Sequence, residues 1–433
     1  MSAGTIRSIK GLMVEVEFVD EMPNLYELLE ADCDTKPPLQ VRSFTSQTVA
    51  VCLNLKGDKA LYKGMAAKRT MKGIEVPVGM HTLGRIFNAL GQPMDDGPEV
   101  DMTETRPIYG ATGKSGEAGI QKPEILITGI KVLDFFTPFV KGRKIGIVGG
   151  AGVGKTVLTM EMINNVSKSG SGLAMFAGIG ERIREGHELY ETLKERKLLQ
   201  NTAMYFGQMN ENPGMRSLIA TAAVTLAEYF RDEEKKDILF FADNIYRYVQ
   251  ARNELSTILG QVPSQGGYQS TIYSDIKSLQ DRLSSNSNGS ITAVQTIYVP
   301  ADDISDPAVQ MISHELDSVI VLSRKVAEQG IRPAVDIIRT NSSLLSPDIV
   351  GERHYQLAGR VKAILQKYES LKNIIAIIGE NELSAGDRAD YNKAKKLIEF
   401  FTQDFFVTES LNGRKGQFFE LDQTLQGIEE IVV

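Results

Sequence analysis

Eight consecutive residues, Gly149-Gly150-Ala151-Gly152-Val153-Gly154-Lys155-Thr156, have the types and spacing that bind phosphate. Glycines let a loop turn several backbone N–H groups toward one anion, where side chains would block the approach. The helix that follows, opening with Lys155, Thr156 and Val157, adds the positive end of its dipole. The Lys155 ammonium can neutralise β- and γ-phosphates, and the Thr156 hydroxyl is a hard oxygen ligand suited to Mg2+. The chemistry is that of a nucleoside triphosphate with Mg2+. Phosphoryl transfer to water further needs a group that orients the water and a cation that holds the charge developing on the γ-phosphate. Glu181 and Arg182 fit those two needs, and Asp243, ending an apolar run, stands where a carboxylate near Mg2+ belongs. An exposed acid and base at a helix start would explain Glu181 and Arg182 more plainly. Arg247 can equally be a helix-face residue.

These residues need a scaffold that brings strand ends together. Apolar runs at 145–148, 173–177, 204–206, 238–242, 291–299 and 319–322 read as strands, with helices between them such as 217–229 and 273–283. Alternation of this kind predicts a mostly parallel sheet with crossover helices, whose ligand lies beyond the carboxyl ends of the strands. Before it, Leu12, Val14, Val16 and Phe18 alternate with Met13, Glu15 and Glu17, and Val49, Val51, Leu53 and Leu55 alternate again before a Lys56-Gly57-Asp58-Lys59 turn, predicting a small β-barrel. After it, Leu357, Val361, Ile364, Leu365, Tyr368 and Leu371 fall at helical spacing, and 389–401 forms a second amphipathic stretch. The expected fold is therefore multidomain α/β: a β-barrel over 1–75, a RecA-like P-loop domain over 76–350 and a helical domain over 351–433.

The 433 residues carry a net charge of -7, which disfavours a general nucleic-acid binder. No apolar run approaches the roughly 20 residues needed to span a bilayer, and the N-terminus lacks a signal-peptide pattern. A cytoplasmic protein with no direct membrane insertion is expected. Two cysteines and four scattered histidines support neither a disulfide framework nor a zinc site.

Taken together, the segments 149–156, 178–190, 207–211, 243–248, 298–303 and 333–336 resemble the catalytic beta subunit of the rotary, F-type ATP synthase, and the similarity runs from about residue 5 to 430. The resemblance implies that Lys155 and Thr156 are the loop lysine and Mg2+-binding threonine, and that Glu181 positions and activates the hydrolytic water. It places Arg182 and Arg247 around the γ-phosphate, Glu185 near the metal's water shell, and Asp243 at the metal end of its strand. It further implies an alternating hexameric ring in which an alpha-type subunit supplies an arginine finger, a central gamma-type stalk touching 381–387, and attachment at the periphery of a membrane complex.

The chain departs from that family in three places. An aromatic that sandwiches adenine is replaced by Arg332; its counterpart is kept as Phe405, and a further aromatic nearby is replaced by Leu411. A guanidinium can stack on a purine, so the expected effect is weaker discrimination between ATP and GTP. Several acids are lost from the turn 381–387, where Gly386 is expected to add pliability, and the chain ends soon after Ile431. These departures suggest a specialised motor not coupled to proton flow. The alternatives are a nucleotide-holding structural subunit of such a ring and a homohexameric secretion-type ATPase.

Overall fold

The computed structural model describes residues 3–110, 123–168, 172–264, 266–299, 303–379 and 383–432. Six antiparallel strands, Ala3–Lys10, Met13–Glu17, Leu28–Ala31, Pro38–Phe44, Val49–Asn54 and Ala66–Arg69, form a closed barrel in which the first strand pairs with the last. Residues of one parity fill it, among them Ile6, Val14, Val16, Leu39, Val41 and Cys52. The alternation of Val14, Val16 and Phe18 thus picks out the interior, but on the fifth strand the expected set Val49, Val51, Leu53 and Leu55 is the other face: Ala50 and Cys52 fill the barrel, and the strand is buried on both sides, so side-chain type gives no contrast there. Leu53 and Leu55, at the end of the fifth strand, leave the barrel core and pack into that of the next domain.

That domain is built on an eight-stranded sheet. Its order is Asn341–Ser342, Ser318–Val321, Lys144–Gly149, Ile291–Tyr298, Asp237–Asp243, Gly172–Glu181, Thr202–Gln208 and Ile86–Phe87. Every pairing is parallel except that of the two-residue strand Asn341–Ser342. Each of the six apolar runs has a strand in the sheet. The edge strand Ile86–Phe87 lies in a stretch whose Gly and Pro punctuation reads as a connector. Two residues carry no period, and only their pairing with Met204 and Tyr205 makes them a strand.

Three long helices complete the chain: Glu352–Ile378, Ala385–Phe401 and Leu421–Val432. The stripe Leu357, Val361 and Leu365 is buried against Phe135 and Phe136 of the helix Lys131–Phe136 in one core with the P-loop helix Lys155–Lys168. The expected turn 379–387 is shorter than its composition suggests. Ser384 caps a helix by accepting from Asp387 N at 3.1 Å, so Gly386 lies in a helical first turn rather than in a pliable loop. Residues 380–382 of that stretch lie outside the described residues. Among the described residues no helix is long and apolar enough to cross a membrane.

Candidate nucleotide site

The strand Lys144–Gly149 ends at the glycine-rich loop, and the helix Lys155–Lys168 leaves it. Gly152 and Gly154 have φ of 75° and 93°, and an added Cβ would meet nothing within 4 Å at either. Glycine is required there by backbone conformation, not by lack of room. Gly149 is the opposite case: its Cβ would lie 2.9 Å from Val153 and 3.1 Å from Leu322. Lys155 Nζ donates to the carbonyls of Gly149, at 2.7 Å, and of Gly150, which folds the ammonium over its own loop.

A cavity of about 660 Å³ lies beyond the strand ends. Lys155, Thr156, Glu181, Arg182, Glu185, Asp243 and Arg247 all line it, with Ala151, Gly152, Gly154 and Val157 of the loop and its helix. Glu181 closes the strand Gly172–Glu181 just after a bulge against the neighbouring strand, with Gly180 at φ 67°. Its Oε1 is 3.9 Å from Arg247 Nε. Burial foremost, then the charge of Asp243 and the hydrogen bond with Glu185, push the Glu181 carboxyl up to about 9, against the pull of Arg247. Asp243 ends its strand buried at the cavity wall. Burial raises its carboxyl above the usual range, while the Thr296 hydroxyl and the Lys155 charge hold it down. Arg182 precedes the helix Ile183–Glu195 with its side chain 65% exposed, 3.7 Å from Glu185.

A second pocket of about 310 Å³ opens on the other side of the same loop. Gly152, Val153, Gly154 and Val157 line it together with Arg332 and Phe405. Phe405 is buried, whereas Arg332 is exposed and spends Nη1 on the carbonyls of Ala327 and Ile331, at 2.8 and 3.0 Å. Gln403 closes the pocket floor, bound through its amide to Gly129 and Gln417 and through its N–H to the Arg332 carbonyl. Leu411 belongs to the short helix Glu409–Asn412, and its side chain lies outside the described residues.

Several lining residues were missed by sequence reasoning. Asn244 and Tyr298 stand at strand ends, the positions the sheet topology marks for inspection, and reach the cavity with Arg184 and Glu188. Gln403, Asp404, Thr408 and Asn412 line the second pocket but sit in a loop and two single-turn helices too short to leave a periodic signal. Residues 300–302 of the segment 298–303 lie outside the described residues.

Among the described residues no cluster of three or more His, Cys, Asp or Glu could hold a metal alone. The donor set nevertheless fits Mg2+, which keeps waters and phosphate oxygens and takes few protein ligands. Three carboxylates line the cavity with the Thr156 hydroxyl, and the charges of Asp243 and Glu185 raise Glu181, a mutual repulsion among the acids that a divalent cation would relieve.

A glycine-rich loop between strand and helix, with carboxylates from two further strand ends, defines a P-loop nucleotide-binding protein. Residues 129–342 match the nucleotide-binding domain of the ATP synthase alpha/beta family, and residues 345–417 match the C-terminal domain of V and A type ATP synthase. With its N-terminal six-stranded barrel, the chain belongs to the ATP synthase alpha/beta family and fits a subunit of a rotary ATPase. Membership implies binding of ATP or ADP and partner subunits in a hexameric ring.

Proposed function

We propose that this chain is a catalytic, beta-type subunit of its ring, hydrolysing or synthesising ATP with Mg2+ and converting that reaction into rotation. One observation carries the reading: a half-buried carboxylate, Glu181, shares the cavity of Lys155 and Thr156 and is 3.9 Å from the Arg247 guanidinium. A site that only holds nucleotide has no use for a carboxylate that can orient water at the γ-phosphate. In this reading the loop amides and Lys155 bind the phosphates. Thr156 would hold Mg2+ directly, and Asp243 and Glu185 would hold it through its waters; the ion supplies charge neutralisation at the phosphate oxygens. Arg182 and Arg247 face the terminal phosphate, and an alpha-type neighbour completes the site with an arginine finger. Phe405 packs against the base with Arg332 at the pocket rim, and a gamma-type stalk meets the helical hairpin near 381–387.

The test is steady-state ATP hydrolysis by the ring purified with its natural partners, compared with the same ring carrying Glu181→Gln. Turnover should fall by about 100-fold or more with nucleotide affinity nearly kept. Unchanged turnover would place the chemistry in another subunit and make this one a structural nucleotide holder.

A further inference from the structure

The carboxylate of Asp243 is not left to find its own orientation. The strand Ile291–Tyr298 lies between the P-loop strand and the strand Asp237–Asp243, parallel to both, with Ile147 opposite Thr296 and Ala242 opposite Gln295. One step beyond that last pair, Thr296 stands beside Asp243, and its hydroxyl donates to Asp243 Oδ1. Thr296 is 1% exposed and Asp243 7%. The preceding residue turns to the other face of the sheet, where Gln295 and Gln280 exchange hydrogen bonds at 2.6 and 2.8 Å. The end of the same strand fixes the next residue too: Tyr298 N donates to Asn244 Oδ1 at 3.3 Å.

We infer that Thr296 is a positioning residue for the metal, which fixes one oxygen of Asp243 so that the other is presented to the water shell of Mg2+ beside Thr156. A carboxylate linked to a cation through water acts only over a narrow range of orientation. Asp243 shares its cavity with the charges of Lys155, Glu185 and Arg247, which would otherwise pull its carboxylate to other orientations. A hydroxyl on a central strand is a rigid anchor, because its backbone is hydrogen-bonded on both sides. Outer partners of this kind are typically worth 10–100-fold in metal affinity. The inference rests on the Mg2+ reading of the cavity and not on Glu181 being catalytic.

The experiment measures ADP binding to the assembled ring as a function of Mg2+ concentration, so that turnover plays no part. Thr296→Val keeps shape and strand preference and removes the donor. The Mg2+ concentration that gives half of the metal-dependent tightening should rise about 10-fold or more. Metal-free ADP affinity should stay the same, and Thr296→Ser should restore the wild-type curve. If the valine variant does not assemble, Thr296→Ala removes the same donor, with the same expectation. A Mg2+ dependence equal to wild type overturns the inference. So does an equal loss with and without metal, which would make Thr296 a support of the fold alone. A shift in Mg2+ dependence together with an unchanged Glu181→Gln turnover would keep this inference and remove the catalytic one.

Discussion

At the scale of single residues, the base pocket is where this chain departs most from the family it resembles. An arginine over a purine was expected to stack, but Arg332 Nη1 is held by two carbonyls of its own loop, and the side chain stays at an exposed rim. An aromatic side chain in its place would offer Phe405 a partner across the base, and aromatic pairs of this kind are worth about 0.5–1.5 kcal/mol. Arg332→Tyr should therefore tighten ATP binding by roughly 2- to 10-fold. The wild-type preference for ATP over GTP should in turn be small. Titration of both nucleotides against wild-type and variant rings checks this, and a strong ATP preference in the wild type would show that other pocket groups read the base. The phosphate end was legible from spacing alone, because a loop that turns its amides inward needs glycines in a fixed pattern. Thr296 was not legible. Its role depends on which residue of one strand lies beside which residue of another, and no local pattern encodes that register.

At the scale of elements, the hairpin of Glu352–Ile378 and Ala385–Phe401 has its own stiffening near the tip. Leu371, Leu383 and Tyr391 form a small core there, and Tyr368 stacks on Tyr391 with centroids 5.0 Å apart. Lys367 also bridges Asp387 at 2.8 Å and Asp390 at 2.7 Å, but on the surface, where ion pairs contribute little. The apolar contacts should decide rigidity. Leu371→Ala is expected to cost about 2–5 kcal/mol locally and to speed amide exchange in residues 383–391. Lys367→Met should leave exchange nearly unchanged. The reverse order would show that charge, not packing, stiffens the lever. The two helices were legible from their spacing. Their junction was not, because the Ser384 cap draws into the second helix residues whose polarity reads as a turn.

At the scale of the whole molecule, the helical domain is joined to the nucleotide domain through a histidine. His354, on the first turn of the helix Glu352–Ile378, is 1% exposed, stacks on Phe135 at 5.1 Å, and its Nε2 bonds the Phe135 carbonyl at 2.7 Å. The other three histidines are exposed. Burial lowers the proton affinity of His354 below its ordinary value near 6.5, and the carbonyl bond offsets this only in part. The unfolded chain therefore takes up a proton at this position at a higher pH than the folded one. In that window the unfolded state binds more protons, so stability rises with pH. The contribution is present in full above about pH 6.5 and is lost as pH falls from there through the folded-state value. Thermal unfolding followed between pH 7.5 and 5.5 should show the midpoint dropping on acidification, with His354→Gln flattening the slope. Glutamine can still donate to the Phe135 carbonyl but carries no titratable proton. If the slope survives in the glutamine variant, another group sets the acid limit. If it disappears, the contact that seats the helix Glu352–Ile378 on Phe135 also sets the acid limit of the folded chain.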